Sequence, residues 1–117
     1  MRYIRFPLLL CTGIVLMASS LNVWSDNALS SNQTEGKKLA LEFCQACHLY
    51  QGTEQAGTVA PPLVGMKQRF PNRKTLFNII YDPHKSLSKD TMMPPFGRNE
   101  LMTKDEIEKV IDFLYTL

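Results

Sequence analysis

The sequence predicts an all-α domain of three or more helices joined by long loops. No stretch shows the alternating β-branched pattern of a half-buried strand. Apolar residues recur instead at three- and four-residue spacings in three segments. Between those segments lie two irregular stretches that contain Gly and Pro. Connections this long are uncommon in a small domain unless they carry function.

The N-terminus reads as a signal peptide over residues 1–25. Met1-Arg2-Tyr3-Ile4-Arg5 is a short positive region, and the apolar run from Phe6 to Met17 is shorter than the roughly 20 residues of a membrane-crossing helix. Val23-Trp24-Ser25 places cleavage after Ser25, with Ala18-x-Ser20 as an alternative site. A retained anchor from Phe6 to Val23 would have to tolerate Ser19, Ser20 and Asn22. Cys11 follows Leu8-Leu9-Leu10 and lacks the small preceding residue of a lipidation signal. The expected location is therefore the periplasm, with no membrane span in the mature chain.

The formal charge of +2 disappears when Arg2 and Arg5 leave with the signal, so the composition does not suggest nucleic-acid binding. Lys37, Lys38, Lys67, Arg69, Arg73 and Lys74 are candidates for a local docking patch, or more simply a solvated face. Residues 26–117 form one domain, near the size at which a protein-only core is marginal.

Residues 26–33 are polar and aperiodic, a flexible leader before a domain that spans 34–117. Asn32 with Glu35 resembles a capping box, and Leu39, Phe43 and Cys47 then share one face of a first helix. Leu49 to Arg69, with Gly52, Gly57, Pro61, Pro62 and Gly65, reads as an irregular loop. A second helix runs from Arg73 to about Ile80, presents Leu76, Phe77 and Ile80, and ends at Asp82-Pro83. Another loop reaches Met102. Thr103-x-x-Glu106 then opens a last helix whose buried side is Ile107, Val110, Ile111, Phe113 and Leu114.

The chemistry is concentrated in Cys44-Gln45-Ala46-Cys47-His48. In an exported chain, Cys-x-x-Cys-His is the attachment site of a c-type haem. Two thiols three positions apart on a helical turn each add to one haem vinyl group, and the adjacent imidazole lies beneath the iron. A thioredoxin-like pair would follow a strand in a βαβ pattern. A zinc site would need four ligands, whereas beyond the signal only Cys44, Cys47, His48 and His84 are on offer. The loops are thus expected to wrap one covalently attached haem, whose apolar surface supplements a small core.

A six-coordinate haem needs a ligand opposite His48, and a methionine thioether favours Fe(II) and raises the potential. Met66, Met92, Met93 and Met102 are available beyond the signal. Met102 sits just before the last helix, in the position of a hydrophobic staple, and Met66 lies in the loop that should support His48. Met93 is the expected ligand, with Met92 as the alternate, because Pro94 and Pro95 hold the preceding residue extended. His84 is the remaining competitor. His48 itself needs its other ring nitrogen hydrogen-bonded, and a carbonyl within Ala60-Pro61-Pro62-Leu63 is the expected acceptor.

These residues together resemble a class I cytochrome c: Gly36, the Cys44-x-x-Cys47-His48 run, the Pro-Pro-Leu loop, a Met-Pro segment and a terminal helix with Phe113. The resemblance implies a cytochrome c-like fold in which a small residue at Gly36 lets the terminal helix cross closely, with Phe113 as an aromatic at the contact. Asp82-Pro83 and Met93-Pro94-Pro95-Phe96-Gly97-Arg98-Asn99, leading into Asp105-Glu106-Ile107, are similar to the SoxX family. This is the monohaem subunit of the SoxAX cytochrome of sulfur oxidation. That resemblance implies Met93 as distal ligand and a larger SoxA-like haem subunit as partner. In such a complex the larger subunit joins thiosulfate oxidatively to a carrier cysteine, and this chain accepts electrons.

The chain offers no catalytic residues of its own, since beyond the haem run the expected mature sequence has no cysteine and one histidine. The alternative is a freely diffusing carrier between respiratory complexes. A gas sensor or peroxidase would need an open sixth position, which a methionine held by two prolines argues against. Either carrier reading expects an exposed haem edge, near Gln45 and Ala46 or near Phe96.

Overall fold

Ser30 caps the first helix, α1 (Ser31–Phe43), in the computed structural model, which describes residues 28–51, 57 and 59–117. The Ser30 hydroxyl accepts the Gln33 N–H at 3.3 Å, and the Gln33 amide oxygen accepts the Ser30 N–H at 2.8 Å. The helix thus begins ahead of the expected Asn32–Glu35 box, because a serine and a glutamine three residues apart satisfy the same orphan donors. Residues 31–33, expected in the leader, form its first turn. The expected signal peptide, with residues 26 and 27 of the leader, lies outside the described residues.

Four further helices follow, and among the described residues there is no strand, only an isolated parallel bridge between His48 and Ala60. The architecture is the expected all-α one. Two single-turn helices, α2 (Met66–Arg69) and α4 (Pro83–Ser86), interrupt the stretches read as loops. Gly65, with φ of 58°, turns the chain into α2, and Pro83 at the first position of α4 has the φ that a helix start requires. Between them α3 (Arg73–Tyr81) starts where Asn72 accepts the Lys74 N–H at 3.0 Å. It buries Leu76 and Ile80 as expected, and Ile79 as well.

The last helix, α5 (Lys104–Leu114), carries the expected box, with the Glu106 N–H donating to Thr103 Oγ1 at 3.2 Å and the Thr103 N–H to Glu106 Oε2 at 2.7 Å. All five residues assigned to its inner side are buried. Helix α1 packs across α5, the most extensive helix contact. Gly36 makes that crossing possible, because a Cβ there would strike the Lys109 carbonyl. Phe113 meets the Tyr50 ring edge-on, with centroids 5.9 Å apart.

Ala40, Ile107, Val110 and Ile111 form the driest part of the core. Full burial of each large aliphatic side chain contributes roughly 2 kcal/mol. Met102 and Ile107, flanking the Thr103 cap, are both in this core, which is the staple arrangement expected of Met102. At the surface Arg73 ties α3 to α5 through Glu108 and Asp112, and Lys109 ties α5 to α1 through Glu35.

Candidate haem site

The Cys-x-x-Cys-His run leaves α1 as one further turn, with the Cys47 N–H donating to Cys44 O at 3.1 Å and the His48 N–H to the same carbonyl at 2.9 Å. Cys44 is half-buried at the end of α1, and Cys47 is exposed. Burial, and then the neighbouring Cys47, push the Cys44 thiol up to about 12. That is the reverse of a redox-active pair, whose attacking cysteine has a lowered pKa. Among the described residues no cluster of three His, Cys, Asp or Glu side chains is placed to hold a metal ion alone.

The chain after His48 folds back beside it. The Ala60 N–H donates to Cys47 O at 3.0 Å and the Leu63 N–H to Leu49 O at 2.8 Å, which lays the two prolines along the imidazole. Pro61 O lies 2.7 Å from His48 Nδ1, in the stretch expected to supply the acceptor. A carbonyl oxygen can only accept, so Nδ1 carries the proton and Nε2 keeps its lone pair for a metal.

Two cavities, of about 270 and 210 Å³, open beside this imidazole. Cys44, His48, Pro61, Leu87 and Met93 border both, so the cavities are two lobes of one slot. Phe43, Val59, Phe96 and Pro94 line the first lobe, and Leu76, Ile79, Ile80 and Leu114 the second. An apolar slot with two thiols at its edge, an imidazole nitrogen and a thioether at its waist fits a c-type haem. Haem supplies a one-electron Fe(III)/Fe(II) couple, and the residues present match the donors it takes.

Met93 is half-buried and reaches both lobes, whereas Met92 is 85% exposed and borders only the first. Met66 also lines the second lobe, but it is 3% exposed and its sulfur lies 3.6 Å from Arg69 Nη1. His84 borders neither lobe and sits on α4 with Nδ1 3.4 Å from Arg98. The segment after Met93 is fastened to α3, with the Gly97 and Arg98 N–H groups donating to Tyr81 O at 3.1 Å and Arg98 paired with Asp82 at 3.3 Å.

Two surface expectations change. Phe96 is 4% exposed, packed edge-on against Phe43, so it forms an inner wall rather than an exposed edge. The exposed apolar rim is made by Val59, Leu87 and Met92. Within the supposed basic patch, Arg73 is taken up by Glu108 and Asp112, and Arg69 donates to Pro62 O at 2.8 Å. Their charges are committed to holding the fold, a role that sequence proximity among cations does not reveal.

Fold and slot together define a class I c-type cytochrome domain, an electron-carrying module. A family model described as cytochrome C oxidase, cbb3-type, subunit III matches residues 31–114, and the chain belongs to that family. Membership implies haem c and a redox partner. Comparison with curated proteins and with solved structures gives no match. No helix among the described residues is long and apolar enough to cross a membrane.

Proposed function

We propose that the chain is an exported cytochrome carrying one haem c, joined by thioethers to Cys44 and Cys47, with His48 and Met93 as axial ligands. The observation that carries this reading is the slot's waist, where His48, oriented by Pro61, and Met93 border both lobes. Replacement of Met93 by alanine is expected to remove methionine ligation and leave the haem attached, whereas Met92→Ala keeps it. A spectrum in which only the Met92 variant loses ligation would reverse the assignment. Export to the periplasm rests on the layout of residues 1–25 alone.

The partner in this reading is a larger, SoxA-like haem subunit, from which the chain accepts electrons released as thiosulfate is joined to a carrier cysteine. Support comes from the two segments that carry the resemblance, around Asp82-Pro83 and Met93 to Asn99, which hydrogen bonds and an ion pair hold together. A second reading is a diffusing carrier between respiratory complexes, and it draws support from the matching family only in that the family's description names a respiratory enzyme's subunit rather than a sulfur-oxidising one. Purification from the native host at low salt, followed by mass spectrometry and absorption spectroscopy, separates them. A co-purifying larger haem subunit supports the first reading, and a solitary chain bearing one haem supports the second.

A further inference from the structure

The strap that runs from Ser88 to Met102 carries two adjacent methionines, and they differ in exposure. Met92 is 85% exposed, and Met93 is half-buried at the waist of the slot. The chain bends at Met93, so the local turn of the backbone decides which of the two adjacent thioethers enters the slot. Something must therefore set that turn. Pro94 and Pro95 stiffen the strap but have no N–H to donate, and the one bond to their carbonyls, from the Asn99 N–H to Pro95 O at 2.9 Å, holds the chain after the methionines.

Main-chain anchors lie towards the ends of the segment. The Thr91 N–H donates to Ser88 O at 3.2 Å, and the Gly97 and Arg98 N–H groups donate to Tyr81 O. Between these ends the Met93 N–H donates to Thr91 Oγ1 at 3.3 Å. Met93 has the last N–H before the two prolines, and Thr91 is itself half-buried on the wall of the first lobe. A β-branched side chain is stiff at χ1, so its hydroxyl is a fixed acceptor.

We propose that Thr91 is a positioning residue that selects Met93 rather than Met92 for the slot, an inference that rests on Met93 being the second iron ligand. A single hydrogen bond of this kind biases the ratio of the two arrangements by about fivefold. Removing it leaves both arrangements populated.

The test uses the holoprotein in its ferrous state, where proton NMR shows the methyl group of an iron-bound methionine far upfield in the porphyrin ring current. Wild type and Thr91→Ser, which keeps the hydroxyl, are expected to show one such set. Thr91→Val is expected to show a second set that vanishes when Met92→Leu is added. Thr91→Ala, which introduces no new bulk, carries the same expectation if the valine variant does not fold. A single set, unchanged in position, in a Thr91 variant lacking the hydroxyl overturns the proposal. Met92→Leu alone tests the underlying reading separately, because a methionine signal lost or moved there would show that Met92 rather than Met93 is the ligand of the wild type.

Discussion

Gly36 of α1 rests against the main-chain carbonyl of Lys109 on α5, in a gap too narrow for a Cβ. Helix propensity alone would make alanine better than glycine at this position by about 0.5–1 kcal/mol. The crossing reverses the sign, because the obstructing atoms are backbone and relief requires the two helices to part. Gly36→Ala is expected to destabilise the holoprotein by about 2 kcal/mol. A urea midpoint that rises instead would show that α1 and α5 separate without cost.

Arg73 presents a full guanidinium fork to α5. Its Nε lies 2.5 Å from Glu108 Oε2, Nη1 2.8 Å from Asp112 Oδ1 and Nη2 2.6 Å from Glu108 O, and the group lies over the Tyr115 ring at 5.9 Å. Lysine keeps the charge but not the geometry. With the side chain 38% exposed and partly screened, Arg73→Lys is expected to cost about 1 kcal/mol. Thermal unfolding at low and high salt checks this, since a loss from broken ion pairs shrinks as salt rises.

What was legible in the sequence was local. Helix α5 could be read because its cap and its apolar stripe lie within one short stretch, and the Cys44 to His48 run could be read because the chemistry demands adjacent residues. The Met-Pro-Pro segment singled out Met93, which the structure places half-buried against both lobes of the slot. What escaped depended on distant partners. Arg73 finds Glu108 across 35 positions, so its charge looked available for docking. Phe96 is buried by Phe43, which no local pattern around it announces. The single turns α2 and α4 exist where Met66 and Pro83 are drawn into the interior, and four residues are too few for periodicity to show. The Ser30 cap was hidden by polar neighbours that look alike in any conformation.

Glu106 gives the stability of α5 a dependence on pH. The Thr103 N–H, and then its hydroxyl, hold the carboxyl below its ordinary value of 4.5. A carboxyl depressed by folding contributes stability that is fully present above the unfolded value and is lost as pH falls through the folded one. Glu106→Gln is therefore expected to unfold more easily than wild type at about pH 7 and to approach it at about pH 3. Urea midpoints across that range check it, and a gap that widens towards acid would contradict the capping account.

The slot itself is the weakest part of the protein's own framework. Its walls are apolar residues from α1, α3, α5 and both loops, brought together around a space that the haem is expected to fill. A core this small has little excess stability, and each large side chain facing an unfilled cavity of this size loses contacts that burial should have supplied. In the proposed reading, replacement of Cys44 and Cys47 by alanine removes the covalent hold and would leave haem retention to His48 and Met93. The double variant is expected to lose most of its helical signal in circular dichroism once the haem is stripped, and to recover it on reconstitution with free haem. An apo-domain that keeps the native helical spectrum would show that the α1–α5 crossing suffices without the cofactor.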